Sequence, residues 1–389
     1  MGMNWAAIRE AEFPVAREWA YFDHAAVAPI PRRSAEALRL WAEGQAAHGA
    51  TRWGEWGARI EALRTDLADW IAAHPDEIAF VANTTHGIGL VAEGFPWKAG
   101  DNVVVPAEEY PSNVYPWMNL ADRGVETRLV PSRDDRIRIE DLRDAMDDRT
   151  RVLAVSHVEF ASGFRNDLDA IGELCRSRGV AFFVDAIQGL GPLELDVRRT
   201  PVDFAAADGH KWLLGPEGAG FLYVRREWID RLRPLGVGWH SVTGAFSAPG
   251  LDFTLKPNAQ RWEGGSCNMP GLQGFAASLT LLREIGPRDL SLRLLDRAEA
   301  VREAVAEAGW RVLGSTRPED RSAIVVAAAD GVDPEAAATL LRSHRVIASC
   351  RRGRLRISPH VYTDDDDLRR LRDGLAAARG VAPPSGRGS

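Results

Sequence analysis

From residue 78 onward, short runs of β-branched and aromatic residues alternate with stretches whose apolar residues recur at helical spacing. This alternation limits the possible folds more than any other feature of the chain. Strands are expected at 78–81, 103–106, 127–130, 152–157, 181–185, 204–207 and 220–224. Most of these runs are apolar at every position rather than at every second one. Successive side chains of a strand point to opposite sides, so a strand with one wet face must alternate. A strand that is apolar throughout is buried on both faces, as in a parallel sheet covered by helices. The expectation is an α/β fold built on a large, mostly parallel, seven-stranded sheet.

The flanking sequence divides on the same logic. Helical spacing runs through 34–73, 271–285 and 290–308, and an opening helix is expected to end near Glu18. Strand-like segments at 312–313, 323–327 and 355–357, with helices at 334–344 and 364–378, predict a smaller C-terminal α/β unit. At 389 residues the chain is long enough for two domains. The expected division is a large domain over 18–285, a small domain from 1–17 and 286–380, and a disordered tail over 381–389. The Gly- and aromatic-rich stretch 236–265 lacks periodicity and is read as long loops near an active site.

Composition removes several function classes. A formal net charge of −7 argues against nucleic-acid binding, which needs a basic surface. The three cysteines, Cys175, Cys267 and Cys350, are widely spaced and form neither a CxxC nor a zinc set. No metal site is expected, and free thiols imply a reducing cytoplasm. There is no basic-then-apolar leader, and no apolar run approaches the roughly eighteen residues that span a bilayer. Neither a membrane nor a nucleic-acid partner is expected.

In open α/β sheets, ligands bind beyond the carboxyl ends of the strands, and the polar motifs of this chain fall there. Asn83-Thr84-Thr85-His86-Gly87 follows a strand and opens a helix. Free amides at a helix start, with two hydroxyls beside them, suit a phosphate, although Asn and Thr are also ordinary caps. One buried run ends in Asp185, with Gln188 close behind; another leads into Gly209-His210-Lys211. A lysine at the end of a buried strand loses the hydration of its ammonium. That placement suits an amine that must be neutral to bond an aldehyde carbon. Singly, Asp185 could cap a helix and Lys211 could sit in a surface turn. Together they are what pyridoxal phosphate (PLP) requires: an amine for its aldehyde and an acid for its ring nitrogen.

Further blocks carry a family resemblance. They are Tyr21-Phe22-Asp23-His24-Ala25-Ala26, Glu109-Tyr110-Pro111-Ser112-Asn113, Ser156-His157-Val158, Arg261-Trp262-Glu263-Gly264-Gly265-Ser266 and Arg356-Ile357-Ser358-Pro359-His360. With the motifs above, in this order, the chain resembles the class V aminotransferase group of fold-type I PLP enzymes. That group includes cysteine desulfurases, selenocysteine lyases, isopenicillin N epimerase and kynureninase. The resemblance implies that Lys211 holds the cofactor as a Schiff base and moves the substrate α-proton. It implies that Asp185 pairs with the ring nitrogen, Gln188 bonds the phenolic oxygen, and Thr84, Thr85 and His210 hold the phosphate. It implies that Ser266 reaches the phosphate of a partner subunit, hence a homodimer with a shared active site. Arg356 would fork onto the carboxylate of a small amino-acid-like substrate.

The chain also departs from the pattern. Tyr110 stands where desulfurases stack a histidine on the ring; an aromatic ring still stacks there, but the imidazole donor is lost. Asp208 replaces a phosphate-binding serine and is expected to turn away from the phosphate. Phe160 replaces an asparagine that meets the phenolic oxygen. Cys350 lies too close to Arg356 for a desulfurase thiol loop and is read as a buried small residue, while Cys267 is nearer the expected site. If the segment is a strand, Arg352, Arg354 and Arg356 share one face. Arg52 or His48 could touch substrate, and Trp212, Trp239 and Trp262 could line a pocket, although a surface loop and core packing account for them too. The acidic run 364–367 is expected to open a helix. Aminotransferase-type chemistry is expected, with C–S (β-elimination) lyase or epimerase as alternatives. Persulfide-forming desulfurase ranks lower, and a non-enzymatic module of the same fold ranks last.

Overall fold

The computed structural model describes residues 3–246, 250–315 and 317–379; the expected tail at 381–389 lies outside them. Helix α1 (Trp5–Glu12), the two-residue strand β1 (Ala20–Tyr21) and helices α2 (Arg32–His48) and α3 (Trp53–Trp70) open the chain. Then come β2 (Ile78–Val81), α4 (Thr84–Gly94), β3 (Asn102–Pro106), α5 (Tyr115–Met118), β4 (Glu126–Val130) and α6 (Ile139–Ala145). They are followed by β5 (Thr150–Ser156), α7 (Leu168–Arg178), β6 (Ala181–Asp185), β7 (Phe204–Asp208) and β8 (Gly220–Val224). These strands form a seven-stranded sheet of order β2-β8-β7-β6-β5-β3-β4. The pairs β4–β3, β3–β5, β5–β6 and β6–β7 are parallel, and β8 runs antiparallel to both β7 and β2.

Both faces of the sheet are covered, as the unbroken apolar runs require. Val104, Leu153, Phe182, Val184 and Ala205 join one hydrophobic core. Their strand neighbours Val103, Val105, Ala154, Phe183 and Phe204 join the core on the other face. Close approach needs small residues. A Cβ on Gly87 would stand 2.9 Å from the Ala206 Cβ, so glycine lets α4 lie directly on the sheet.

Helices α8 (Met269–Ile285) and α9 (Pro287–Glu307) lead to the second layer. There β9 (Arg311–Leu313), β10 (Val325–Ala328), α10 (Pro334–Ser343), β11 (Val346–Ile347), β12 (Ser349–Arg351), β13 (Arg354–Ile357) and α11 (Asp365–Ala378) follow. A four-stranded sheet has the order β12-β13-β10-β9. The N-terminal β1 pairs in parallel with β11. The side chains of Asp364 and Asp367 cap α11 reciprocally, and Arg9 of α1 bridges to both.

Several boundaries differ from expectation. The opening helix stops at Glu12, and Pro14–Arg17 forms a 3₁₀ turn, because Pro14 has no N–H to continue the ladder. The stretch 34–73 is two helices, broken at the 3₁₀ turn Gly49–Arg52, where Gly49 takes a φ of 54°. The segment 352–357 is not one strand. Arg352 sits in the β12–β13 turn with a φ of 49°, so the arginines sharing a face with Arg356 are Arg354 and, across the hairpin, Arg351. Among the described residues, no helix is long and apolar enough to cross a membrane, and no cluster of three or more His, Cys, Asp or Glu side chains is placed to hold a metal.

Candidate active site

A cavity of about 450 Å³ opens at the carboxyl ends of the central strands. The end of β5 contributes Ser156, β6 Asp185 and β7 Asp208; the turn after β7 contributes His210 and Lys211. The N-terminus of α4 contributes Asn83, Thr84 and Thr85, and the segment after β3 contributes Tyr110 and Ser112. The second layer closes the cavity with Arg351 and Arg356, and the N-terminal segment adds Ala25–Val27. Of the sequence-expected residues, Thr84, Thr85, Tyr110, Asp185, Gln188, His210, Lys211 and Arg356 therefore line one cavity. Ser266 does not line it; it is exposed.

Burial sets the electrostatics. Lys211 loses hydration, which lowers its pKa to about 8 against the opposing pull of Asp185. Its Nζ lies 5.7 Å from the centroid of the Tyr110 ring. Asp185 is 2% exposed. Desolvation raises its pKa to about 6, although the Ile187 amide donates to its Oδ1 at 3.1 Å and Lys211 pulls it down. Behind it lies a second carboxyl. The Ser156 amide and hydroxyl both donate to buried Glu109, and Ser156 pairs in register with Asp185. Desolvation and the charge of Asp185 push Glu109 up to about 7. Glu159, which accepts from Asn166 Nδ2 at 2.8 Å, is raised as well. Acids packed this closely raise one another's pKa, because each disfavours the charge of the next.

At one end of the cavity the hydroxyl of Thr84 is buried and has no hydrogen-bond partner among the described residues. Asn83 Oδ1 accepts from the His86 amide at 2.8 Å and fixes the start of α4. Thr85 Oγ1 donates to Ser112 Oγ at 2.7 Å. At the other end Arg356, 2% exposed, donates from Nη1 to the Phe160 carbonyl at 3.0 Å and from Nη2 to Asp23 Oδ1 at 3.3 Å. Its Nε has no partner among the described residues, and burial lowers its pKa to about 10. Gln188 is held from two sides. Its Nε2 donates to the Ala25 carbonyl and its Oε1 accepts from Trp212 Nε1, each at 2.9 Å.

Asp208 lines the cavity, with its Oδ2 3.1 Å from Nδ1 of His210. Some expectations are corrected. Cys350 is half-buried rather than buried, because β12 is an edge strand of its sheet. Cys267 is exposed, with its Sγ 3.4 Å from Met269 Sδ, and does not line the cavity. Neither Arg52 nor His48 lines it; Arg52 pairs with Glu55. Trp262 and Trp212 are buried, Trp212 bonding Gln188, and Trp239 is exposed. Sequence reasoning assigned no role to Glu109, Ser112, Asp23 or Arg351. Glu109 and Asp23 stand inside blocks already singled out, but burial and proximity have no linear signature.

PLP asks this wall for an amine, an acid and donors to a phosphate. Lys211, Asp185, the α4 amides and the unpartnered Thr84 hydroxyl supply them, so the residues fit the cofactor. Comparison with known proteins agrees. A family model described as "Aminotransferase class-V" matches residues 20–371. A "probable cysteine desulfurase" of Methanothermobacter thermautotrophicus is 31% identical over 95% of this chain and 97% of that protein. An "uncharacterized aminotransferase YcbU" of Bacillus subtilis is 30% identical over 84% of this chain and 86% of its own. Among solved structures, the cystine C–S lyase C-DES with its reaction product cysteine persulfide superposes with a TM-score of 0.89 at 24% identity, covering 95% of this chain and 100% of its own. The chain belongs to the aminotransferase class-V family and is a PLP-dependent enzyme.

Proposed function

We propose that this enzyme breaks the carbon–sulfur bond of a cysteine-type amino acid. One observation carries the site: Lys211, Asp185 and Arg356, drawn from two layers, converge on a single cavity. PLP, when bound, draws electrons away from the α-carbon of an amino acid. Lys211 would be the amine that joins the aldehyde and would then move the α-proton, and a pKa lowered to about 8 suits it to both. Asp185 holds a proton at the ring nitrogen. Arg356 orients the α-carboxylate. Thr84, Thr85 and His210 would hold the phosphate, Tyr110 would stack on the ring, and Gln188 would face the phenolic oxygen. Ser266, exposed here, reaches the phosphate of a partner subunit in a homodimer. We assign 18–285 to a large domain and 1–17 with 286–380 to a small one.

The sulfur reading rests on the relative named as a cysteine desulfurase. Among the described residues no cysteine lines the cavity, which favours release of sulfur on a small molecule over transfer to the protein. Incubating the holoenzyme with cystine and assaying products tests this. Pyruvate, ammonia and a persulfide are expected. A keto acid that keeps the carbon skeleton, with the cofactor left as pyridoxamine phosphate, would show transamination and overturn the proposal. Borohydride reduction should place the cofactor on residue 211, and Lys211→Ala should carry no adduct and lose turnover. An adduct elsewhere would remove Lys211 from the mechanism.

A further inference from the structure

The second-layer hairpin turns a row of cations toward the cavity. Residues two apart on a strand, and residues directly opposite on an antiparallel neighbour, project to one face. In this hairpin Ser349 pairs with Arg356 and Arg351 with Arg354, so three arginines share one face, and two of them, Arg351 and Arg356, line the cavity. Two of the three, Arg354 and Arg356, have a carboxylate partner within the chain, although the Nε of Arg356 has no partner among the described residues. Arg354 Nη1 lies 2.5 Å from Asp135 Oδ2, and Arg356 shares Asp23 with the Ser349 hydroxyl. Arg351 lines the cavity and donates to the carbonyl of Cys350 at 2.7 Å. Among the described residues no carboxylate lies within ion-pair distance of it. Its charge is felt by both Lys211 and Arg356, whose pKa values it lowers. Of the acids that line the cavity, Asp185 faces Lys211 and Asp208 faces His210, while Glu217 is exposed and makes no ion pair with Arg351.

We propose that Arg351 binds a second anionic group at the far end of the substrate side chain, so that the site selects amino acids bearing a carboxylate or sulfur oxyanion beyond the β-carbon. A guanidinium forks onto either group with two parallel hydrogen bonds. Resting on the sulfur reading above, this narrows the substrate to cysteine derivatives with an acidic terminus, of which cystine and cysteine sulfinate are the two chemical types. Arg356 takes the α-carboxylate, and Arg351 takes the distal anion.

Calorimetric titration of the holoenzyme with succinate and with butyrate isolates the second charge without turnover. Succinate should bind more tightly to the native enzyme. Arg351→Gln should weaken succinate about tenfold more than butyrate, the scale of one charge-assisted contact, and Arg351→Lys should restore part of that difference. Equal weakening of both ligands would put Arg351 on the α-carboxylate, and no weakening of either would put it outside the site; each outcome overturns the proposal. KM for cysteine sulfinate and for cystine, measured against cysteine, shows which terminus is preferred. Selective succinate binding with no sulfur released from any of the three would leave Arg351 in its role while removing the C–S lyase reading.

Discussion

Lys211 and Asp185 show how burial tunes a pair of opposite charges. Each is desolvated, so the lysine falls to about 8 and the aspartate rises to about 6; their mutual attraction holds both shifts in check. Only the neutral amine attacks an aldehyde. Capture of added PLP by the apoenzyme should therefore accelerate about tenfold per pH unit up to about pH 8 and then level off. In Asp185→Asn the ammonium loses its nearest stabilising charge, so the plateau should begin at lower pH. Stopped-flow absorbance at several pH values checks both, and an unmoved plateau would mean that Asp185 does not act on Lys211.

The elements matter because their ends are what face the ligand. Helix α4 begins at Thr84 directly after β2, and Asn83 caps it. The same cap that completes the helix aims its free amides into the cavity. Asn83→Ala should cost about 0.5–2 kcal/mol, the usual worth of such a cap, and should also weaken PLP binding as the first turn frays. Thermal denaturation of the apoenzyme together with a PLP titration separates the two effects. Affinity unchanged alongside a lowered Tm would confine Asn83 to a structural role. Glycine serves element packing too: a Cβ on Gly189 would lie 2.3 Å from His157 Nδ1, so the turn after Asp185 closes only without a side chain there.

At the scale of the molecule, the raised carboxyls beneath the site couple stability to pH. Glu109, its pKa raised to about 7, faces Asp185, Glu159 and the hydroxyl of Ser156. A carboxyl whose folded pKa lies above its unfolded value, about 4.3, stabilises the fold below that value. The contribution disappears as pH rises through about 7. Glu109→Gln has no such term, so its Tm relative to the native enzyme should increase between pH 5 and pH 8. A constant difference would show that Glu109 is ionised throughout. Buried His360, lowered to about 4, acts in the opposite sense, stabilising above about pH 6.5 and losing this as pH falls toward 4.

The seven strands, their near-parallel sheet and the residues at their ends were legible in the chain, because double-sided burial writes uninterrupted apolar runs and binding residues sit where those runs stop. The family resemblance singled out Arg356 in the same linear way. The two-residue strands β1 and β11 were not legible, since a pair that short leaves no periodicity. Nor was the turn at Arg352, which required a positive φ that side-chain chemistry does not announce. Only the folded structure set Glu109 against Asp185, placed Asp23 against Arg356 and left Arg351 without a carboxylate. Each of these depends on through-space distance and lost hydration between segments far apart in sequence. Local pattern determines which elements form; Coulomb interaction and burial across their packed ends decide which charges are satisfied and which are left for a ligand.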